Sequence, residues 1–291
     1  MIGKVKAVLR NLKSKFEPKE GTKGYERRLR RELERVSRTF GGNDTPVLIQ
    51  TYGKVGSTAI HAAIGRLSGF GSFQTHFITK EGVDEARGIH HDHQRDPIHL
   101  KVGDRLREEL ENRPDKPVKV ITIVRDPIAR AVSNLFENPN LLPEEVVLKQ
   151  LPLEEVVALA AEQVTASMAY TEKWFDRELN GLLGFDLFEH PFDKEVGFSI
   201  FESGRYQLLA GKLELLAKNG EASLGKFLEL GHDLPIERRR SRSATGEASL
   251  YDQVREKLIL PVELLDEVYG SRVCQYFYTD EEIAKFRKNW E

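Results

Sequence analysis

The 291-residue sequence predicts an α/β protein: a parallel β-sheet with helices on both faces, followed by a largely helical C-terminal part. Two apolar, β-branched runs, Val47-Leu48-Ile49 and Val118-Lys119-Val120-Ile121-Thr122-Ile123-Val124, have the near-continuous hydrophobicity of buried parallel strands. Each leads through a short turn into a segment of helical periodicity, and strand–helix alternation of this kind builds a parallel sheet. Ligands of such sheets bind beyond the carboxyl ends of the strands. The segments after Gln50 and Val124 are therefore the first places to look for function.

The elements follow in order. Residues 1–40 hold thirteen Lys/Arg against five Glu, a balance of +8 that leaves −10 for the rest of a chain whose net charge is −2. Ile2, Val5, Val8, Leu9, Leu12 and Phe16 recur at near-helical spacing among those lysines. A basic amphipathic helix can lie on an anionic membrane surface, or it can pack on its own domain or on another subunit. Tyr25 to Arg35 reads as a second helix supported by i,i+4 charge pairs. Gly41-Gly42-Asn43-Asp44 marks the boundary, so residues 1–44 form an arm and 45–291 the main domain.

Beyond the first strand a helix is expected over 57–68, a second strand over 72–78, a histidine-rich loop, a helix from about Leu100 to Glu111, and the strand 118–124. Asp126 and Pro127 open the next helix as N-cap and first helical residue. Residues 153–180 read as one long or broken helix. Gly197–Phe201 and Tyr206–Leu209 read as strands, helices follow from about Leu213, and Val273–Tyr278 stands out as non-helical.

Bulk composition narrows the function classes. No apolar run approaches bilayer length, and Lys4, Lys6, Arg10, Lys13 and Lys15 interrupt any signal-peptide core, so a cytoplasmic location, with peripheral membrane contact open to the basic arm, is the expectation. Cys274 is the sole cysteine, which excludes an internal disulfide and a cysteine-rich metal site. Nucleic acid is not an expected partner, because the basic segment lacks interleaved aromatics and the body is acidic.

The chemistry concentrates in Gln50-Thr51-Tyr52-Gly53-Lys54-Val55-Gly56-Ser57-Thr58. A strand, a tight turn with one lysine and a helix start gather backbone N–H groups, the positive end of a helix dipole and an ammonium, which together hold a phosphate. In a Walker-type loop the lysine follows the last glycine. Here Lys54 precedes Gly56.

The second segment is Arg125-Asp126-Pro127-Ile128-Ala129-Arg130-Ala131-Val132-Ser133, in which a strand ends in an arginine and a serine stands eight residues later. Taken with the Lys54 loop, the chain resembles the sulfotransferase superfamily, whose fold is P-loop-like and three-layered. Glu172-Lys173-Trp174-Phe175-Asp176, Pro191-Phe192-Asp193-Lys194, Tyr269-Gly270-Ser271 and Phe277 to Ile283 resemble, more narrowly, bacterial capsular-polysaccharide sulfotransferases. The resemblance covers residues 45–291.

It implies 3′-phosphoadenosine 5′-phosphosulfate (PAPS) as co-substrate, no required metal, and as acceptor a hydroxyl of a saccharide or similar molecule. Lys54, Val55, Gly56, Ser57 and Thr58 would hold the 5′-phosphosulfate, Lys54 neutralising the leaving oxygen. Arg125 and Ser133 would hold the 3′-phosphate. His76, on the strand after the loop helix, is the leading general base and His99 the rival. His90, His91 and His93 read as surface or acceptor-contacting residues, since adjacent histidines make poor zinc geometry. His61 occupies a helix position where related enzymes carry an aromatic residue against adenine. Asp126 reads as an N-cap before it reads as a metal ligand, and Trp174 and Trp290 as packing residues. The run Glu237 to Ser243 is either a phosphate-closing loop or a solvated charge run. Two other classes stay open: a nucleotide-dependent phosphotransferase on a related fold, and a non-catalytic membrane-peripheral binding protein.

Overall fold

The computed structural model describes residues 20–91, 97–138, 142, 146–237 and 247–291, and the side chains of all of these except 89–91 and 247–249. The chain divides into two compact units, one of residues 1–43 and 77–114, the other of 44–76 and 115–291.

Among its described residues the first unit is helical. Helix α1 (Lys23–Gly41) starts at Thr22, whose hydroxyl accepts from the Tyr25 N–H at 3.2 Å. The second unit holds helix α2 (Ser57–Ile64), and the first continues with α3 (Lys80–His91) and α4 (Ile98–Asn112). Helix α1 packs on α4 through Tyr25, Val36 and Phe40, and the Arg105 guanidinium donates to the Ser37 hydroxyl at 2.9 Å. The α4 carboxylate of Glu109 is buried and paired with both Arg105 and Arg113. The expected histidine-rich loop is in part a helix. Residues 80–91 form a helix, because Val83 and Ala86 pack on Leu100, and that burial outweighs the low helix propensity of Gly82 and Gly88.

The second unit carries a five-stranded sheet of order β2-β1-β3-β5-β4, with β1 Thr45–Gln50, β2 Phe70–Thr75, β3 Val118–Val124, β4 Phe198–Ser203 and β5 Tyr206–Lys212. β1, β2, β3 and β5 are parallel, whereas β4 runs antiparallel to β5. The all-parallel expectation fails at that edge because two residues, Gly204 and Arg205, join β4 to β5, and so short a link allows only a hairpin. Gly204 takes φ 55°, which hairpin loops of this length require. Val47, Leu48, Ile49, Val120, Ile121 and Ile123 are fully buried, so neighbouring positions on both faces of β1 and β3 are covered.

Helix α5 (Pro127–Glu137) begins as expected, with Asp126 accepting from the Ile128 N–H at 3.2 Å and Pro127 in the first turn. It packs on α6 (Leu153–Trp174), which runs on through a π-helical turn, Phe175–Asn180, to Leu183 and stops at Gly184. Helices α7 (Glu221–Phe227), α8 (Glu247–Lys257), α9 (Val262–Gly270), α10 (Arg272–Phe277) and α11 (Asp280–Arg287) complete the unit. Residues 273–278 are thus largely helical. Ser271 caps α10 by accepting from the Cys274 N–H, and Val273, Cys274 and Phe277 fall on one buried helical face. The β-branched and aromatic content that sets this segment apart as non-helical serves a short buried helix instead.

Candidate functional site

The site lies in the second unit, at the carboxyl ends of β1 and β3. β1 ends at Gln50, and the Thr51 N–H still bonds the Thr75 carbonyl oxygen at 3.2 Å before the chain turns away. Gly53, Lys54 and Gly56 then take φ of 87°, 61° and 81°. Glycine adopts this left-handed region freely, whereas lysine there costs about 1–2 kcal/mol. Strain of that kind persists where surrounding contacts impose it. One such contact is the Arg125 guanidinium, whose Nη1 donates to the Lys54 carbonyl oxygen at 3.3 Å. At Gly56 the positive φ is the main constraint, and a Cβ there would also press on the tip of Leu213, 2.8 Å from its Cδ1.

Gly56 immediately precedes α2, so the unpaired N–H groups of the first turn open toward the loop. Lys54, Val55, Gly56, Ser57 and Thr58 therefore form a continuous turn into a helix start. The two hydroxyls are already engaged. Gln74 Nε2 donates to Ser57 Oγ at 2.9 Å, and Thr58 Oγ1 lies 3.4 Å from Gln74 Oε1. His61, one turn further, lies 2.8 Å through Nδ1 from the Ser72 hydroxyl and so faces β2.

Arg125 is the first residue after β3, and its N–H donates to the Tyr52 hydroxyl at 3.4 Å. Ser133 projects from the second turn of α5, and its hydroxyl lies 3.4 Å from Glu137 Oε1. Glu137 Oε2 pairs with Lys54 Nζ at 3.2 Å. One carboxylate thus touches two groups that motif reading separates by nearly eighty residues. Glu137 drew no notice in the sequence, where it is one more acidic residue near a helix end.

His76 follows β2 directly. Its Nδ1 lies 2.5 Å from the Thr51 carbonyl oxygen, and since a carbonyl only accepts, Nδ1 carries the proton. Burial, with smaller contributions from the Lys54 and Arg130 charges, holds its pKa below the ordinary histidine value, so the ring is neutral and Nε2 is its basic nitrogen. A Cβ on Gly53 would lie 3.8 Å from Cε1 and 3.9 Å from Nε2, which places the basic edge of the ring against the Gly53 backbone. The Trp174 indole N–H donates to the His76 carbonyl oxygen at 2.7 Å. Trp174 and Phe175 also stack edge-on and tilted against Tyr52, at 5.5 and 5.7 Å. Both tryptophans are buried, and Trp174, expected only as packing, also anchors the backbone of the candidate base.

Below the loop a polar network joins the sheet to the C-terminal helices. The Asp126 carboxylate is buried, accepts from the Tyr269 hydroxyl at 3.0 Å, and has its pKa pushed up by burial. Glu214 accepts from the Asp126 N–H at 2.8 Å and from the Tyr278 hydroxyl at 3.2 Å. These bonds make Asp126 an internal strut as well as an N-cap. A cavity of about 30 Å³, lined by Tyr52, Arg125, Ser167, Thr171, Cys274 and Tyr278, adjoins Arg125. At that size it has room for about one or two waters.

His99 lies on α4 in the first unit. The side chains of His90, His91 and His93 fall outside the described residues, as do residues 238–246; Glu237 pairs with Arg66 at an exposed position. Among the described residues, no group of three or more His, Cys, Asp and Glu side chains is arranged to hold a metal ion, and no helix is long and apolar enough to cross a membrane.

No curated protein and no solved structure matches the chain. Residues 151–279, which include Trp174, Phe175, Glu214, Tyr269 and Tyr278, match the family model NKWYS, described as "Putative capsular polysaccharide synthesis protein".

Proposed function

We propose that the protein is a sulfotransferase that moves a sulfuryl group from PAPS to a hydroxyl of a saccharide, within the synthesis of a capsular polysaccharide. The observation that carries the reading is the convergence of Lys54, Arg125 and Ser133. They come from two strand ends and a helix, Arg125 clasps the Lys54 backbone, and Lys54 and Ser133 meet on one carboxylate. Two anion-binding groups beside a helix N-terminus suit a ligand with two separate phosphates. The match of residues 151–279 to a capsular-polysaccharide family supports a saccharide as acceptor.

The roles follow from the chemistry. When bound, the donor supplies an activated sulfuryl group whose leaving oxygen belongs to a phosphate. The backbone N–H groups of Val55 to Thr58 hold that phosphate, with the Ser57 and Thr58 hydroxyls turning toward it as Gln74 yields them. Lys54 neutralises the charge that builds on the leaving oxygen as the sulfur–oxygen bond breaks. Arg125 and Ser133 hold the 3′-phosphate. His76 Nε2 takes the acceptor's proton as its oxygen bonds to sulfur, while Thr51, bonded to Nδ1, fixes the tautomer that leaves Nε2 basic. The positive charges of Lys54 and Arg125 support this donor.

The test is transfer of radiolabelled sulfuryl from PAPS to purified capsular polysaccharide and its oligosaccharides. Wild-type chain is expected to label the acceptor and Lys54→Ala to label none while melting at an unchanged temperature. Labelling by Lys54→Ala at wild-type rate would remove Lys54 from the chemistry. Phosphoryl transfer from magnesium–ATP in place of sulfuryl transfer would overturn the reading.

A further inference from the structure

Arg130 stands in the second turn of α5 and is 2 % exposed. A buried guanidinium ordinarily has a carboxylate beside it, because an uncompensated charge inside a fold is heavily penalised. Arg130 has none among the described residues. Its Nη1 donates to the Tyr52 carbonyl oxygen at 3.4 Å and its Nη2 to the Ser167 hydroxyl at 2.8 Å. The rings of Tyr52 and Tyr170 lie 4.9 and 5.8 Å from its central carbon, and its Nε has no partner. The two tyrosines are neutral at neutral pH, and the Arg125 charge, itself a cation, acts against that of Arg130. Dipoles and ring faces therefore solvate this charge without cancelling it.

Those contacts alone do not require a cation. A neutral amide could hold the Tyr52 carbonyl and the Ser167 hydroxyl. What arginine adds is a full positive charge, always ionised, in surroundings that neither water nor salt screens well. It is fixed to the first residue of the phosphate loop and adds to the potential set by Arg125 and Lys54.

We propose that Arg130 is an electrostatic positioning residue of this site: a buried, uncompensated cation behind the loop whose counter-charge is a polyphosphate-like anion bound in front of it. This deepens the reading above and rests on its site, but requires only that the ligand be a polyanion. The ligand class is a nucleotide or pyrophosphate-like group with two or more negative charges. The ligand would not need to touch Arg130, because the charge acts through the loop it holds. The same charge also disfavours a second proton on His76, so one residue serves both the anion and the base.

The experiment uses the full chain as wild type, Arg130→Met and Arg130→Lys. Calorimetry measures affinity for adenosine 3′,5′-bisphosphate and for inorganic pyrophosphate, and NMR follows the His76 titration without ligand. Arg130→Met is expected to weaken both anions by about tenfold or more and to raise the His76 midpoint, while Arg130→Lys, which keeps the charge and loses the fork, stays within about threefold of wild type. Should Arg130→Met fail to fold, Arg130→Lys decides: a loss of tenfold or more there shows that shape and not charge is used. Folded Arg130→Met with unchanged affinities and an unmoved His76 also overturns the proposal. If wild type binds pyrophosphate but not the bisphosphate, the sulfotransferase reading falls and Arg130 is judged on pyrophosphate and His76. Wild type that binds neither anion overturns both.

Discussion

Replacing Glu137 with glutamine should tighten donor binding. Its carboxylate holds Lys54 at 3.2 Å and stands 3.4 Å from the Ser133 hydroxyl, the two groups assigned to different phosphates of one ligand. A donor must break the ion pair and then tolerate the carboxylate close by. At that separation two unit charges attract by about 1.3 kcal/mol in water. The Glu137 side chain is 46 % exposed, so solvent screening and the entropy of two long side chains reduce the pair to about 0.5–1 kcal/mol. Repulsion of a multiply charged ligand adds a term of similar size. Glu137→Gln keeps the shape and removes the charge, so the two terms, together about 1–2 kcal/mol, should raise affinity for adenosine 3′,5′-bisphosphate about five- to thirtyfold at low salt. The gain should shrink in about 1 M salt, where the screening length falls to about 3 Å. Calorimetry at the two salt concentrations, with melting curves to confirm an intact fold, reads this directly. Unchanged or weaker binding by a folded Glu137→Gln would refute the reasoning and make Glu137 a supporting member of the site.

Other expectations follow from the same geometry. If His76 is the proposed base, His76→Ala should abolish transfer yet leave bisphosphate affinity within about threefold, because a base acts on the acceptor's proton and not on the donor's phosphates; a parallel loss of binding would make His76 structural. Because the folded-state pKa of His76 lies below the unfolded value, the native chain binds fewer protons there, so its contribution to stability is present above the ordinary histidine pKa and is lost as pH falls through the lowered one. The rate limb attributed to this base should therefore break on the acid side of the ordinary histidine range, and a midpoint above that range would count against His76. Glu282→Gln should destabilise the chain by about 3 kcal/mol in urea, because it leaves Lys212, which is 0 % exposed and held by Glu282 at 2.7 Å, without a counter-charge and with the Lys194 carbonyl oxygen as remaining acceptor; a cost below about 1 kcal/mol would show the pair to be solvated. Gly56→Ala should weaken anion binding and lower the melting temperature together, given its φ of 81° and the 2.8 Å approach to Leu213; an unperturbed melt would show that the loop can relax.

What could be read from the chain, and what could not, divides by sequence distance. β1, β3 and the Lys54 turn announce themselves because a buried strand and a glycine-rich turn are written in consecutive residues. The N-cap at Asp126 is local as well. Glu137 and Arg130 were invisible as site members because their partners, Lys54 and Tyr52, are 83 and 78 residues away. No local pattern marks an acid that will meet a lysine across a sheet. The helix at 272–277 does not show in the sequence because Val273, Phe277 and Tyr278 are poor helix formers, while the deciding signals, the Ser271 cap and a one-sided burial pattern, act only once the C-terminal helices pack. Residues 80–91 differ from the expected loop for the same reason, their helix resting on contacts with Leu100. The antiparallel edge strand follows from the two-residue link Gly204-Arg205, which can only close a hairpin. Trp174 could be recognised as buried, but nothing local to it points to the His76 carbonyl, 98 residues away.

The central claim is that the Lys54 loop and Arg125 together bind a nucleotide with separate 5′- and 3′-phosphates. Calorimetry of the full chain with adenosine 3′,5′-bisphosphate in EDTA, run beside magnesium–ATP, tests it most directly. The account predicts saturable one-to-one binding of the bisphosphate without metal, lost in Arg125→Met, and much weaker binding of magnesium–ATP. No heat with the bisphosphate, and tight binding of magnesium–ATP in its place, would contradict it.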